Sequence, residues 1–569
     1  MNGVTILAII ALIPIGLLFY LGYVLVWQQF HSMPIGLGLT AFLALVVWRM
    51  SILSIIASCV QGVLLSVQLI ILIISVIFFV EVMRGSGVTN AMRPAFSHIS
   101  PDRRIQAIFV AWLFEGCLES VLGFAATSGV CATILIGIGF PPACAVMLGV
   151  MGTVVASAFS AGGAPILFGV AKGLEQQPQF ASWLNASGMD FERYLHFIGA
   201  QVSVVHGVVG VFMPLLMIMM MTRFFGRQQT WTEGLSAAPF ALFCGLAFVV
   251  PYILAAVFVG PEFPSRIGGL VGMAVVMTAL RTGFLTPPDK WDFLPIPQWQ
   301  RAWSAGPYQP PPPLTPMPSW MPWFPYVLLV TLIIISRLPD SPVQALLQPY
   351  YVQKPNFMGT DINFTFQPLF MFHCLLLVSV AVVTMFMHRF RGAGDYFGQR
   401  MTMPASHAVL NMPLTMSIIC IYINSNVNHS GWPGMFASIA QWISSMSISQ
   451  WIMPFLTPFL AAGGSHFAFV SLYSDLIFSP FQHDVGQSLG ISGAFFVALQ
   501  VSGASVGNLF AGHYVTGTCI AVEKTGVAGP TNKKNQLFMI GYLFFMGLIA
   551  LFFVHFVPLA SVLLPLYQR

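Results

Sequence analysis

The chemistry of this chain gathers in residues 113–167. The stretch is apolar for long enough to cross a bilayer twice, yet it holds two acids, Glu115 and Glu119, and is broken by Gly123, Gly139, Pro141, Pro142, Gly162, Gly163 and Pro165. A carboxyl inside a membrane segment is expensive to bury and by default marks an ion or solute path. Four residues apart, the two acids lie on one face of a helix. In a low-dielectric setting each favours the protonated form of the other, which suits a proton carrier. The plainer alternatives are a Glu119 carboxyl tied to backbone N–H groups at the break and a Glu115 at an aqueous boundary.

A second glycine-broken stretch, residues 461–529, carries a matching set of small polar groups. Around the first break the available donors are Ser120, Thr127, Ser128, Thr153, Ser157 and Ser160, with Gly123 giving close access to backbone. Around the second they are Ser465, His466, Gln500, Ser502, Ser505 and Asn508. A helix that ends inside the membrane offers unpaired N–H groups and a positive dipole end, a place for a carboxylate. Broken helices near the midplane are how many secondary transporters build their sites. Taken one at a time, the same residues also fit small-residue faces of helix packing. His466 ionises near neutrality and so is a candidate for proton coupling, or else a hydrogen-bonded structural group. Asp475, His483 and Asp484 read as loop residues around Pro480.

The two stretches repeat each other. Placing Gly139 on Gly490 aligns residues 139–159 with 490–510 without a gap, pairing Ala143 with Ala494, Leu148 with Leu499, Gly152 with Gly503 and Phe159 with Phe510. A duplication would set two broken hairpins around one site, and an odd number of spans per repeat would invert them.

These features need a membrane fold to position them. Of 569 residues, 57% are hydrophobic and only 7% charged, far below the roughly 25% of soluble domains. The expected fold is an all-α polytopic membrane protein of about 12–14 transmembrane helices with two repeated broken-helix or re-entrant hairpin regions. Val4 to Trp27 reads as a retained span rather than a signal peptide. The first membrane half is expected over 1–284, with its broken region at 105–175. A Pro/Trp-rich linker over 285–325 includes the run Pro310 to Pro313, and a second half over 326–569 has its broken region at 461–529. Tyr194 to Met221 reads as one span. Basic clusters at Arg84, Arg93, Arg103 and Arg104, and at Arg389, Arg391 and Arg400, point to cytoplasmic loops.

Several classes are set aside. The net charge of +5 is spread thinly over loops and gives no nucleic-acid footprint. Eight cysteines form no CxxC pair and twelve histidines no HxxxH pair, so no metal or other cofactor is implied. Residues 503–507 spell G-x-S-x-G, but a nucleophile elbow needs a strand before it and a helix after it, which an apolar span does not supply. No phosphate-binding loop of the G-x-x-x-x-G-K-[ST] type is present. A secondary transporter is the first reading. The alternatives are a channel or a carrier for a different anion with sodium coupling, with a membrane-embedded enzyme last.

Motifs through most of the chain resemble the L-lactate permease family of bacterial inner-membrane carriers. They are Asp102 to Gln106, Leu118-Glu119 followed by Gly123-Phe124, Gly139-Phe140 with Pro142, Gly163 to Leu167, Gly260 to Pro264, Arg301-Ala302-Trp303, Ser502-Gly503 with Gly507, and Val527-Ala528-Gly529. The resemblance implies a multi-pass protein of the inner membrane that takes up a small monocarboxylate, L-lactate or glycolate, together with protons. It places Glu119 at the family's acidic position. Departures fall at the site: the family's polar run becomes Gly464 to Val470, with His466 in place of an acid, and its Gly-Lys becomes Gly507-Asn508. The implied partners are the anion, protons or sodium, and the lipid bilayer, and a homo-oligomer is compatible with the sequence.

Overall fold

The computed structural model describes residues 3–21, 25, 27, 29–123, 126–175, 180, 182–184, 188–304, 316–337, 352–354, 356–362, 364–366, 372–388, 402–446, 449–468, 470–509 and 512–567. The Pro310 to Pro313 run and the arginines at 389, 391 and 400 lie outside them.

The fold is the expected helical membrane architecture. Three helices come first, α1 (Gly3–Phe19), α2 (Gln29–Val46) and α3 (Ile52–Gly85). The first broken region follows. It comprises α4 (residues 103–119, with a π-helical middle at Phe109–Phe114), α5 (Ala126–Gly137), α6 (Pro142–Ala156) and α7 (residues 165–175). Next come α8 (Phe191–Gly210), α9 (Met213–Phe225), α10 (Ala238–Phe258) and α11 (Pro264–Thr282). The second half holds α12 (Phe324–Arg337), a short antiparallel hairpin of β1 (Val352–Lys354) with β2 (Phe364–Phe366), α13 (Phe372–Met387), α14 (Thr402–Asn424) and α15 (Met435–Ser444). It closes with α16 (Ser449–Ala468), α17 (Ser471–Ser488), α18 (Gly493–Gly507), α19 (Gly512–Ala521) and α20 (Ala528–His555).

Large apolar side chains such as Phe258, Phe386 and Phe556 face outward, as they must where the surroundings are hydrocarbon. The polar side chains of the broken regions are turned inward. The apolar run from Tyr194 to Met221 is built of two helices, α8 and α9, which meet at a bend of 42°. Hydrogen bonding runs on through residues 142–175, but Ala161, Gly162 and Gly163 all have left-handed backbone, so α6 and α7 are separate helices.

The repeat is visible in the backbone. α6 and α18 have bounds offset by 351 residues at both ends (493 − 142 and 507 − 156), and each follows a glycine of positive φ, Gly139 at 105° and Gly490 at 71°. The repeated glycines serve close approach. A Cβ on Gly152 would run into the Ala111 carbonyl and lie 2.6 Å from Glu115 Oε2, while one on Gly503 would run into the Pro458 carbonyl. The helices that follow the breaks are exchanged: α19 packs on α5 of the first repeat, and α7 packs on α17 of the second.

The Asp102 to Gln106 motif is a scaffold clamp. Asp102 caps α4 by accepting from Arg104 N at 2.8 Å, and the buried Arg104 guanidinium binds Asp102 at 2.7 Å and Asp289 at 3.3 Å. Arg103 and Arg93 donate to the Ile138 and Gly137 carbonyls that end α5, the favoured place for cations on a helix. Residues 285–304 fold against this clamp, with Trp291, Phe293 and Trp303 buried and Arg103 paired to Asp292 at 3.0 Å.

Candidate functional site

The first break interrupts the chain between α4 and α5. Glu115 and Glu119 end α4 on one face, at 0% and 1% exposure. Among the described residues, both Glu115 oxygens and Glu119 Oε2 lack a hydrogen-bond donor. The hydroxyls of Thr127 on α5 and Tyr514 on α19 sit beside the Glu119 carboxyl. This acid site therefore draws on both repeats. Glu115 is as deeply buried as Glu119, so it lies at no aqueous boundary.

Ser120, directly after Glu119, is the joint of the two first-repeat breaks. Its carbonyl accepts from Gly162 N at 2.8 Å, and Gly123 packs against Ser160 and Ala161. Arg266, the third residue of α11 and 1% exposed, donates to Ser120 Oγ at 3.3 Å and to Ser120 O at 3.4 Å. Its guanidinium lies over the Phe263 ring, 5.6 Å from the centroid. A fully buried cation beside a helix break is a natural receiver for a carboxylate.

The other donors expected from sequence divide into three groups. Thr153 and Ser157 bond carbonyls of their own turn, Val150 O at 2.9 Å and Val154 O at 3.2 Å, so their hydroxyls are engaged within α6. Ser128 and Ser465 join helices: Ser128 meets Thr518 of α19 at 2.6 Å, and Ser465 donates to Ala504 O at 2.7 Å. Gln500, Ser502, Ser505 and Asn508 line α18 and are all buried. Gln500 donates to Ser474 at 3.0 Å and Asn508 to Ser471 at 3.4 Å, while Ser505 meets His206 of α8 at 2.8 Å. Among the described residues, no hydrogen bond joins this α18 group to the Glu119 group. His466 stands in the last turn of α16, half-buried, where a cation suits the helix end.

The structure corrects the loop reading of Asp475, His483 and Asp484. All three lie within α17, and Asp475 is fully buried. Pro480 misled because proline inside a soluble helix usually breaks it, whereas membrane helices carry it when neighbours satisfy the freed carbonyl. Nothing in the local sequence singles out Tyr514 or His206, and little singles out Arg266. Arg266 stands two residues after the Gly260 to Pro264 motif, the one signal that could draw attention to it.

The fold is that of an all-α polytopic membrane protein with two repeated broken-helix regions, and two acids and an arginine are buried beside the first break. The chain belongs to the L-lactate permease family, whose model matches residues 7–557. It is 24% identical to the "Putative L-lactate permease" of Haemophilus influenzae, over 96% of this chain and 98% of that one. It is also 24% identical to glycolate permease GlcA of Escherichia coli, over 95% and 93% of the two chains. The L-lactate permease of Bacillus subtilis is 26% identical over 48% of this chain and 44% of its own. Membership makes the protein a membrane transporter of a small monocarboxylate.

Proposed function

We propose that the protein is a secondary active carrier of the bacterial inner membrane that takes up L-lactate or glycolate by proton symport, through an alternating-access site between its two broken hairpins. One observation carries this reading: a cation and an acid, both sealed from solvent, flank the same break, with Arg266 bonded to Ser120 and Glu119 next to it in the chain. Arg266 with Ser120 and Gly123 would receive the carboxylate. Glu119, with Glu115 four residues before it, would carry the proton. The pairing is economical because a carboxylate entering with a proton leaves the net charge of the site unchanged.

The test is reconstitution of the purified chain in liposomes and uptake of radiolabelled L-lactate under an inward proton gradient, with glycolate, acetate, pyruvate, succinate and sulfonates as competitors. Accumulation above equilibrium is expected for the wild type and its loss for Glu119→Gln. Uptake indifferent to the proton gradient, or a Glu119→Gln protein that accumulates like the wild type, refutes the proton-coupling role.

A further inference from the structure

α17 carries a stripe of buried polar side chains at helical spacing: Ser471, Asp475, Ser479 and Gln482, none more than 4% exposed. Intervals of four, four and three residues set them on one face. At the middle of the stripe the hydrogen-bond accounting fails to close. Gln500 Nε2 donates to Ser474 Oγ at 3.0 Å and reaches Asp475 Oδ1 at 3.5 Å, and Ser474 passes its own hydrogen to Ala461 O at 3.1 Å. These bonds engage every donor of Gln500 and Ser474, while the buried Ser479 hydroxyl, one turn on, has no partner among the described residues. Asp475 Oδ2 and Gln500 Oε1 remain, both buried and with no donor among the described residues. A buried cluster with more acceptors than donors, one of them a carboxylate, lacks a positive charge.

We propose that Asp475, with the amide oxygen of Gln500 and the hydroxyl of Ser474, binds a small monovalent cation, a proton or a sodium ion, that is carried with the anion. The inference rests on the transport reading above and adds a second ion site to it. Charged neighbours do not fill the role. On the helices packed against α17, Lys172 of α7 is paired with Glu175 at 2.7 Å, His466 ends α16, and α15 and α18 hold no charged residue. On α17 itself, His483 and Asp484 lie at least two turns beyond Asp475, and Asp475 has no ion pair among the described residues. The site is mechanically joined to the anion site. α7 begins just after the break that touches Ser120, and its Gly169 leaves no side chain at the contact, where a Cβ would sit 2.7 Å from Leu472 O and 3.2 Å from Asp475 Cβ.

The experiment uses the full chain in liposomes with radiolabelled L-lactate. Accumulation is measured under an inward proton gradient without sodium and under an inward sodium gradient at symmetric pH, and lactate–lactate counterflow without any gradient. Asp475→Asn is expected to keep counterflow within about twofold while losing at least tenfold in accumulation under whichever gradient drives the wild type, which also names the ion. Accumulation equal to wild type overturns the proposal. Should Asp475→Asn lose counterflow too, Gln500→Leu decides. It is expected to raise the half-saturating ion concentration roughly tenfold, and an unchanged ion dependence overturns the site. If the wild type accumulates no carboxylate, the transport reading fails by itself. The cation site is then judged on the wild type and Gln500→Leu by sodium-dependent melting against choline and by proton uptake in weak buffer, where identical responses of the two proteins reject it.

Discussion

The hydroxyls of Ser128 and Thr518, 390 positions apart in the chain, stand 2.6 Å from one another in the buried interior. They fasten α19 of the second repeat to α5 of the first, beside the Glu119 carboxyl that Thr127 and Tyr514 flank from the same two helices. Exchange of post-break helices between repeats is thus part of how the acid site is walled.

That contact can be trapped. The eight native cysteines are free, so a cysteine-free background carrying Ser128→Cys and Thr518→Cys is expected to cross-link under mild oxidation and to run as a single compact species. Single variants should not cross-link. Absence of the disulfide in folded protein would contradict the exchanged packing.

Gly152 and Gly503 tolerate no Cβ, because carbonyls of the crossing helix occupy its place. Gly152→Val is expected to lower stability by about 1–3 kcal/mol or to abolish folded protein. Gly541→Ala, at a position of α20 with open space around it, should be neutral or gain up to about 1 kcal/mol. Melting in detergent followed by size-exclusion separates the two outcomes.

His206 braces three helices. Ser505 gives its hydrogen to Ser502 O at 2.8 Å, so it accepts from His206 Nε2, and Nδ1 is left to accept from Tyr542 at 3.2 Å. This assigns a neutral, fully bonded ring from the network. Ser505→Ala strands the buried N–H and is expected to cost about 1–3 kcal/mol in melting experiments. Tyr542→Phe removes a donor from an acceptor and should cost less.

If Arg266 receives the carboxylate, its replacement separates binding from turnover. Arg266→Gln is expected to raise KM for L-lactate about 30-fold, which is about 2 kcal/mol of carboxylate affinity, with Arg266→Lys between it and the wild type because lysine keeps the charge but not the fork. Initial uptake rates across a concentration series check this. A KM unchanged in a folded Arg266→Gln protein would leave Arg266 as a brace for the Ser120 carbonyl.

What could be read from sequence was local. The spacing of Glu115 and Glu119, the glycine and proline breaks, and the offset that lays Gly139 on Gly490 all depend on residues close in the chain, and each has its counterpart in the fold. What escaped was decided by distant packing. Arg266 stands two residues after Pro264 and resembles a loop residue until α11 is set against Ser120. Asp475 is polar, near Pro480, and its burial follows from α7 and α18 closing over it. Tyr514 gains meaning only when α19 crosses to the other repeat. The bend between α8 and α9 lies between Gly210 and Pro214, a break signal that the long apolar run around it masks.

The crossing of α19 onto α5 also bears on how the chain is made. Residues 126–137 leave the ribosome long before 512–521 exist, so during synthesis the Glu119 region must wait in the bilayer with one wall missing. Contacts this remote in sequence form slowly. A nascent chain halted before Tyr514 would leave two acids facing lipid or water, and the last wall to arrive completes the first site to be translated.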